Sequence, residues 1–334
     1  LNSGGIIDGT NQAGVYLTLS TSQAKPTPEI PAKIGPYKVV GEVGVGGLGR
    51  VFRGIDERTG NSVAIKVLHD KYARNSKFLG IFHRELLIIS SLNHKHIVSY
   101  LDSFFSPPNC YIVTEFVDGW SGYSFVKQVK RVPPLVGLCI VIDMLQGIDY
   151  LHLHDTIHSD LSAANYLIDS KGRILVTDFG LACRLEVEDY RNYMIGTPGY
   201  YAPEHISNEP IVQQTDIYCA GLILFELITG RKIIPASNDR HQTLDLMRKV
   251  SIPSLGLTDP VMEKALKRLL KTALHFSVSR RFQSADLMMF ACYEILKRCE
   301  IRYARHAIKK FLVDQALVPG PFEGHDQNIY KGSP

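Results

Sequence analysis

The amino-acid sequence predicts an α+β protein of two lobes, a small β-rich one followed by a larger α-helical one. Three observations carry that prediction. Short alternating apolar segments separated by turn residues fill the stretch from Tyr37 to Phe116, with one helical interruption. Apolar segments of helical length take over after Gly119. The chain has 334 residues, 45% of them hydrophobic, which at roughly 150 residues per domain suffices for two sizeable cores.

Residues 1–36 are rich in Gly, Ser, Thr and Asn, then Pro (Lys25-Pro26-Thr27-Pro28), the composition of a flexible linker, with Val15–Leu19 as a short strand candidate. Tyr37–Val43 and Arg50–Asp56 read as strands around a glycine cluster, and the turn Glu57–Asn61 leads to a third strand, Ser62–Leu68. A helix is expected near Lys77–Ser91. Two further strands, Val98–Phe104 and Tyr111–Phe116, flank the turn Pro107-Pro108-Asn109. Pro134–His154 and Thr215–Thr229 read as helices, the second stopped by Gly230, and a β-hairpin lies between them at Tyr166–Asp178. Leu296–Phe311 places Ile301, Ala304, Ile308 and Phe311 at helical spacing beside Lys297, Arg298, Arg302, Arg305, Lys309 and Lys310, an extra helix with a solvated basic face; the rest reads as a tail.

The 37 Lys and Arg exceed the 33 Asp and Glu by four, a balance too mild to argue for nucleic acid. No uninterrupted apolar run approaches the ~20 residues that span a bilayer. Leu135–Ile142 and Gly221–Leu227 are too short, so no membrane segment is expected in this chain. The chain begins with Leu, as a fragment does, and lacks the charged start and apolar core of a secretory signal. Its six cysteines are scattered singly, which rejects a zinc ribbon or dithiol site and fits reduced thiols in a cytoplasmic compartment.

Three constellations carry chemistry. In Gly44-Val45-Gly46-Gly47-Leu48-Gly49, glycines at the first, third and sixth places let backbone approach a phosphate chain. Arg50-Val51-Phe52-Arg53 continues as a strand, so the loop is a hairpin flap rather than the helix start of a dinucleotide fold. In Val63-Ala64-Ile65-Lys66-Val67, apolar neighbours half-bury Lys66, while Phe78, Phe82, Glu85 and Ile89 put Glu85 on the buried stripe of its helix. A carboxylate there needs a partner, and Lys66 is the available cation. The third runs from Ile157-His158-Ser159-Asp160 through Asn165 to Asp178-Phe179-Gly180. If its strands pair across Asp169–Gly172, Asn165 and Asp178 emerge side by side, one amide and one carboxylate oxygen suited to Mg²⁺. Asp160 lies on the same rim, where it could accept a proton from a hydroxyl.

These motifs in this order resemble the eukaryotic-type (Hanks-type) protein kinase family over residues 37–298. The resemblance implies a bilobal protein-kinase fold, with a small lobe over 37–117, a large lobe over 118–298 and a basic helix and tail over 299–334. It implies that Gly44, Gly46 and Gly49 cover the phosphates of ATP and that Lys66, paired with Glu85, contacts them. Asp160 would be the catalytic base, with Asn165 and Asp178 as Mg²⁺ ligands (Mn²⁺ being the alternative ion). Thr114 looks like the gatekeeper, and Glu115 to Val117 like the hinge for adenine. Val51, Ala64 and Leu167 would enclose the ring. Glu204 of Ala202-Pro203-Glu204 would pair with Arg281, and Asp216 would anchor the catalytic loop. Gly196–Glu204 resembles the Ser/Thr-specific substrate-docking segment, so the implied activity is transfer of the γ-phosphate of ATP to Ser/Thr hydroxyls of a protein substrate, the oligomeric state being left open.

The sequence departs from the family at two places. Ser159 stands where the family usually has Arg, and between Leu181 and Gly196 there is no Ser or Thr, only Tyr190 and Tyr193. Activity is therefore expected not to depend on Ser/Thr phosphorylation of that stretch. Ser162 stands where Ser/Thr kinases usually have Lys, and Ala164 where tyrosine kinases supply Arg. An alternative reading follows from that loss: a nucleotide-binding pseudokinase acting as scaffold or allosteric partner.

Overall fold

The computed structural model describes residues 30–184, 196–207, 209–237, 239–298 and 304–317. Most of the expected linker, the stretch with Tyr190 and Tyr193, Cys299 and most of the tail lie outside the described residues. The small lobe is a six-stranded antiparallel sheet of order β1-β2-β3-β4-β6-β5. Its strands are β1 (Lys33–Ile34), β2 (Tyr37–Val45), β3 (Gly49–Asp56), β4 (Ser62–Leu68), β5 (Tyr100–Ser106) and β6 (Asn109–Glu115). Alternation decides the faces. On β4, Val63 and Ile65 are buried with Tyr37, Phe52 and Val113 in a small core, while Ala64 and Lys66 point to the opposite face. Helix α1 (Ser76–Ser91) starts at Asn75, whose Oδ1 accepts from the backbone N of Lys77 at 3.0 Å, and it buries Phe82, Glu85, Leu86, Ile88 and Ile89.

The larger part begins with β7 (Gly119–Ser121), α2 (Gly122–Val129) and α3 (Pro134–Leu153). Then come β8 (Thr156–Ile157), β9 (Tyr166–Asp169), β10 (Ile174–Val176) and β11 (Cys183–Arg184). Helices α4 (Pro203–Ser207), α5 (Gln213–Thr229), α6 (Arg240–Arg248), α7 (Pro260–Ala273), α8 (Ala285–Lys297) and α9 (Ala304–Asp314) complete it. Helix α5 ends at Gly230, which takes the left-handed conformation at φ 69°.

Helix α3, expected over Pro134–His154, is long and apolar enough to cross a membrane by length and composition. It is instead the central helix of the large lobe, with 72% of its most apolar window buried against other elements. The strand expected from Val98 begins at Tyr100, because the Val98 N–H donates to Val176 O at 3.0 Å and so belongs to the large-lobe hairpin. The single helix expected over Leu296–Phe311 is divided. Helix α8 ends at Lys297, and α9 begins at Ala304, burying Ile308 and Leu312 and setting Phe311 edge-on to Phe125 at 6.2 Å. The five described cysteines are buried and free.

Candidate active site

The cleft between the lobes is built from both sides. Gly44, Val51 and Lys66 form one row across β2, β3 and β4, and Ala64 pairs with Thr114 of β6. Strand alternation then puts Ala64 and Lys66 on the same face of β4. The glycine hairpin closes with Gly46 N–H donating to Gly49 O at 2.7 Å. A Cβ on Gly49 would lie 2.2 Å from Val67 O, so this glycine is required by close packing on β4 rather than by an approaching phosphate; at Gly46 the nearest atom would be an ordinary 3.6 Å away. His69 steadies the hairpin from the end of β4. Its backbone N–H donates to Leu48 O at 2.9 Å, and its Nε2 lies 3.1 Å from Gly46 O.

Lys66 Nζ donates to Glu85 Oε1 at 2.6 Å and to Asp178 Oδ1 at 2.9 Å. Burial acts to lower the Lys66 pKa, but the two carboxylates outweigh it and hold the ammonium above its ordinary value. One lysine thus joins α1 to the start of Asp178-Phe179-Gly180. Asp178 itself adopts φ 62°.

The hairpin expected across Asp169–Gly172 pairs Leu167 with Leu175 and Tyr166 with Val176. Beyond its last ladder pair, Thr177 N–H donates to Asn165 O at 3.0 Å, which sets Asn165 beside the Asp178 segment. Asn165 Nδ2 donates both to Asp160 O at 2.7 Å and to Asp160 Oδ2 at 2.9 Å. Only the amide nitrogen can serve two acceptors, so the orientation of Asn165 is fixed. Its Oδ1 is consequently turned away, buried and without a hydrogen-bond partner. A buried amide oxygen lacking a donor, near an aspartate carboxylate, fits a hard divalent cation.

Asp160 receives a second hydrogen bond, from Thr197 Oγ1 to its Oδ1 at 2.8 Å. Burial raises the Asp160 carboxyl to about 6, with the charge of Asp178 adding to the rise while Thr197 and Asn165 oppose it. A carboxylate tuned there is largely ionised at neutral pH yet still able to take a proton.

The loop around Asp160 is held from below. Asp216, at the start of α5, accepts from the backbone N–H groups of His158 and Ser159 at 2.9 and 2.8 Å and from His152 Nε2 at 2.9 Å. Burial works against its ionisation, but these donors win and its pKa is lowered. Ser159 has φ 66°. Its carbonyl accepts from His205 Nε2 at 2.8 Å, while Ala202 N–H donates to His205 Nδ1 at 2.9 Å, which fixes the neutral tautomer. Ser162 is wholly buried and its Oγ accepts from Ala164 N–H at 3.3 Å, so it does not stand in for a cation in the cleft. Arg281 clamps Glu204 through two hydrogen bonds of 2.6 and 2.8 Å.

Thr114, Glu115 and Leu167 are half-buried along the cleft, and Val117 is buried. The Glu115 carboxylate accepts from Ser99 N–H and Oγ, each at 2.9 Å, and from Arg173 at 2.8 Å. The side chain is thereby turned onto the large-lobe hairpin. The sequence reading assigned no role to Thr197, His205, His69 or Arg173; only Thr197 stood within a motif already singled out.

Residues 37–291 match the model of the protein kinase domain. The chain is 33% identical over 257 residues to a protein of Lactococcus lactis named as a probable serine/threonine-protein kinase, PknB, the match covering 76% of this chain and 41% of that protein. It is 30% identical over 257 residues to the serine/threonine-protein kinase PrkC of Bacillus subtilis, covering 76% of this chain and 39% of that one. The chain thus spans about two fifths of the length of these relatives. The crystal structure of the Mycobacterium tuberculosis PknI kinase domain superposes with a TM-score of 0.62 at 24% identity, over 79% of this chain and 97% of that one, a likeness of fold.

Proposed function

Because this chain belongs to the protein kinase domain family, we propose that it transfers the γ-phosphate of ATP to Ser or Thr hydroxyls of protein substrates. One observation carries the reading. Lys66 joins Glu85 to Asp178 by hydrogen bonds, and Asn165, set beside the Asp178 segment by the Thr177 N–H, joins Asp160, with the buried Asn165 Oδ1 left over. In this reading Asp160 accepts the proton of the attacking hydroxyl and Lys66 steadies the nucleotide's phosphates. Asn165 and Asp178 would hold Mg²⁺, which supplies charge neutralisation between the phosphates. The glycine hairpin covers the phosphates, and Thr114, Glu115 and Val117 border the adenine. Similarity to proteins named as serine/threonine kinases supports Ser/Thr as acceptors. Free buried thiols support a reducing, cytoplasmic setting.

Incubation with γ-labelled ATP and Mg²⁺, with one acidic and one basic general protein substrate, tests the proposal. Label on Ser or Thr that vanishes with Asp160→Asn is the expected result. Nucleotide binding with no transfer to either substrate would overturn it in favour of the pseudokinase reading, which the buried Ser162 in the catalytic loop motivates.

A further inference from the structure

Thr197, hydrogen-bonded to the proposed base Asp160, is followed by Pro198, which touches a residue of a second groove. Pro198 O accepts from Lys232 Nζ at 3.2 Å. The Lys232 stem lies against Gly199, where a Cβ would sit 2.8 Å from its Cδ, and its ammonium stands 4.3 Å from the centre of the Tyr200 ring. The charge of Glu226 acts on it, and that carboxylate is itself engaged by the Tyr200 hydroxyl. Lys232 is thus a cation pinned to the segment that touches Asp160. From it runs a groove of about 300 Å³, floored by Phe225, Ile233 and Val250 and edged by Arg231, Lys232 and Lys249. No carboxylate lines it. Among the described residues, the side chains of Arg231 and Lys249 are exposed and have no hydrogen-bond or ion-pair partner.

We propose that this groove selects the protein substrate, holding an Asp- or Glu-rich segment next to the hydroxyl that Asp160 activates. The proposal rests on the kinase reading above and adds the class of substrate to it. Charge complementarity carries the choice. An acceptor residue at Asp160 lies beside Thr197, and Pro198 next to it touches Lys232, so residues flanking the acceptor on that side meet three cations on an apolar lining that carries no carboxylate. Carboxylates gain there, and lysines or arginines are repelled.

The test uses three peptides sharing one acceptor serine, flanked by Glu, Gln or Lys. The expected order of kcat/KM is Glu over Gln over Lys, with about a tenfold step between the first two at low salt that shrinks at 1 M salt. In the double variant Arg231→Glu, Lys249→Glu, the Glu-over-Gln ratio should fall to one or below. Taking the ratio within a single variant cancels any loss common to both peptides. Binding of the same peptides with Ala in place of the acceptor, followed by fluorescence anisotropy, separates the two layers of the argument. Preferential binding of the Glu peptide without any phosphorylation would retain the groove and remove the kinase reading. Phosphorylation indifferent to flanking charge, or a ratio unmoved by the charge reversals, overturns the groove while leaving the kinase reading in place.

Discussion

Thr197→Val deletes one hydroxyl at nearly constant volume, and the structure says which quantity must change. Burial places the Asp160 carboxyl at about 6, and the Thr197 hydroxyl at 2.8 Å is one of the contacts that keep it from going higher. A hydrogen bond to a charged group contributes about 1.5–3 kcal/mol, and one pKa unit corresponds to about 1.4 kcal/mol. Without the hydroxyl, Asp160 should therefore rise by roughly one to two units, to about 7–8. In the proposed role of general base Asp160 works only when ionised, so kcat/KM should climb with pH through its pKa and level off above it. The acid limb should then be centred near 6 in the native protein and near 7–8 in the variant. For a shift of about 1.5 units, the ionised fraction at pH 6 drops from about one half to about 3%, some fifteenfold, while at pH 9 the two proteins should nearly converge. The assay is the initial rate of peptide phosphorylation at subsaturating substrate from pH 5.5 to 9. Thr197→Ser keeps the hydroxyl and should keep the limb near 6. A Val variant slowed by one constant factor at every pH would refute the assignment of Thr197 as the group that tunes Asp160.

Two further outcomes follow from packing. Arg281→Ala leaves Glu204, whose side chain is 1% exposed, without its cation, and should cost about 3–5 kcal/mol in urea unfolding at pH 7. Burial alone would raise the Glu204 pKa, but the hydrogen bonds and charge of Arg281 more than reverse it, so the folded value is lowered from 4.5. The pair's contribution is therefore complete above the ordinary glutamate pKa and is lost as pH falls through the lowered one. The deficit should close in acid, and an equal deficit at pH 4 and pH 8 would contradict this. Gly49→Ala, whose Cβ would meet Val67 O at 2.2 Å, should lower the melting temperature and raise KM for ATP; Gly46→Ala, with 3.6 Å of room, should leave the melting temperature within about 1 °C. Equal effects of the two on melting would show that the hairpin yields more easily than its packing implies.

What the sequence revealed follows from how far apart the interacting residues lie along the chain. The Lys66 strand, the Glu85 stripe and the Asn165–Asp178 hairpin were legible because a two-residue or helical period, or one short turn, fixes where each side chain points. Thr197 lies 37 residues from Asp160, His205 lies 46 from Ser159, and Arg173 lies 58 from Glu115. No local period connects such residues, and each pair exists only once the helical lobe has folded. Helix α3 was legible over its whole length, although Asp143 interrupts its apolar run. Gly49 was identified for an incomplete reason, since the carbonyl that forbids a side chain there belongs to a neighbouring strand.

The lysine bridge from Glu85 to Asp178 ties together two groups of residues of different origin. Lys66, the flap and Thr114 come from the sheet side, whereas Asp160, Asn165, Thr197 and the Arg231–Lys249 trough come from the helical side. On the proposed reading, a directed-evolution library confined to the first half would vary the nucleotide side and leave the trough untouched, whereas one confined to the second would vary the trough together with Asn165.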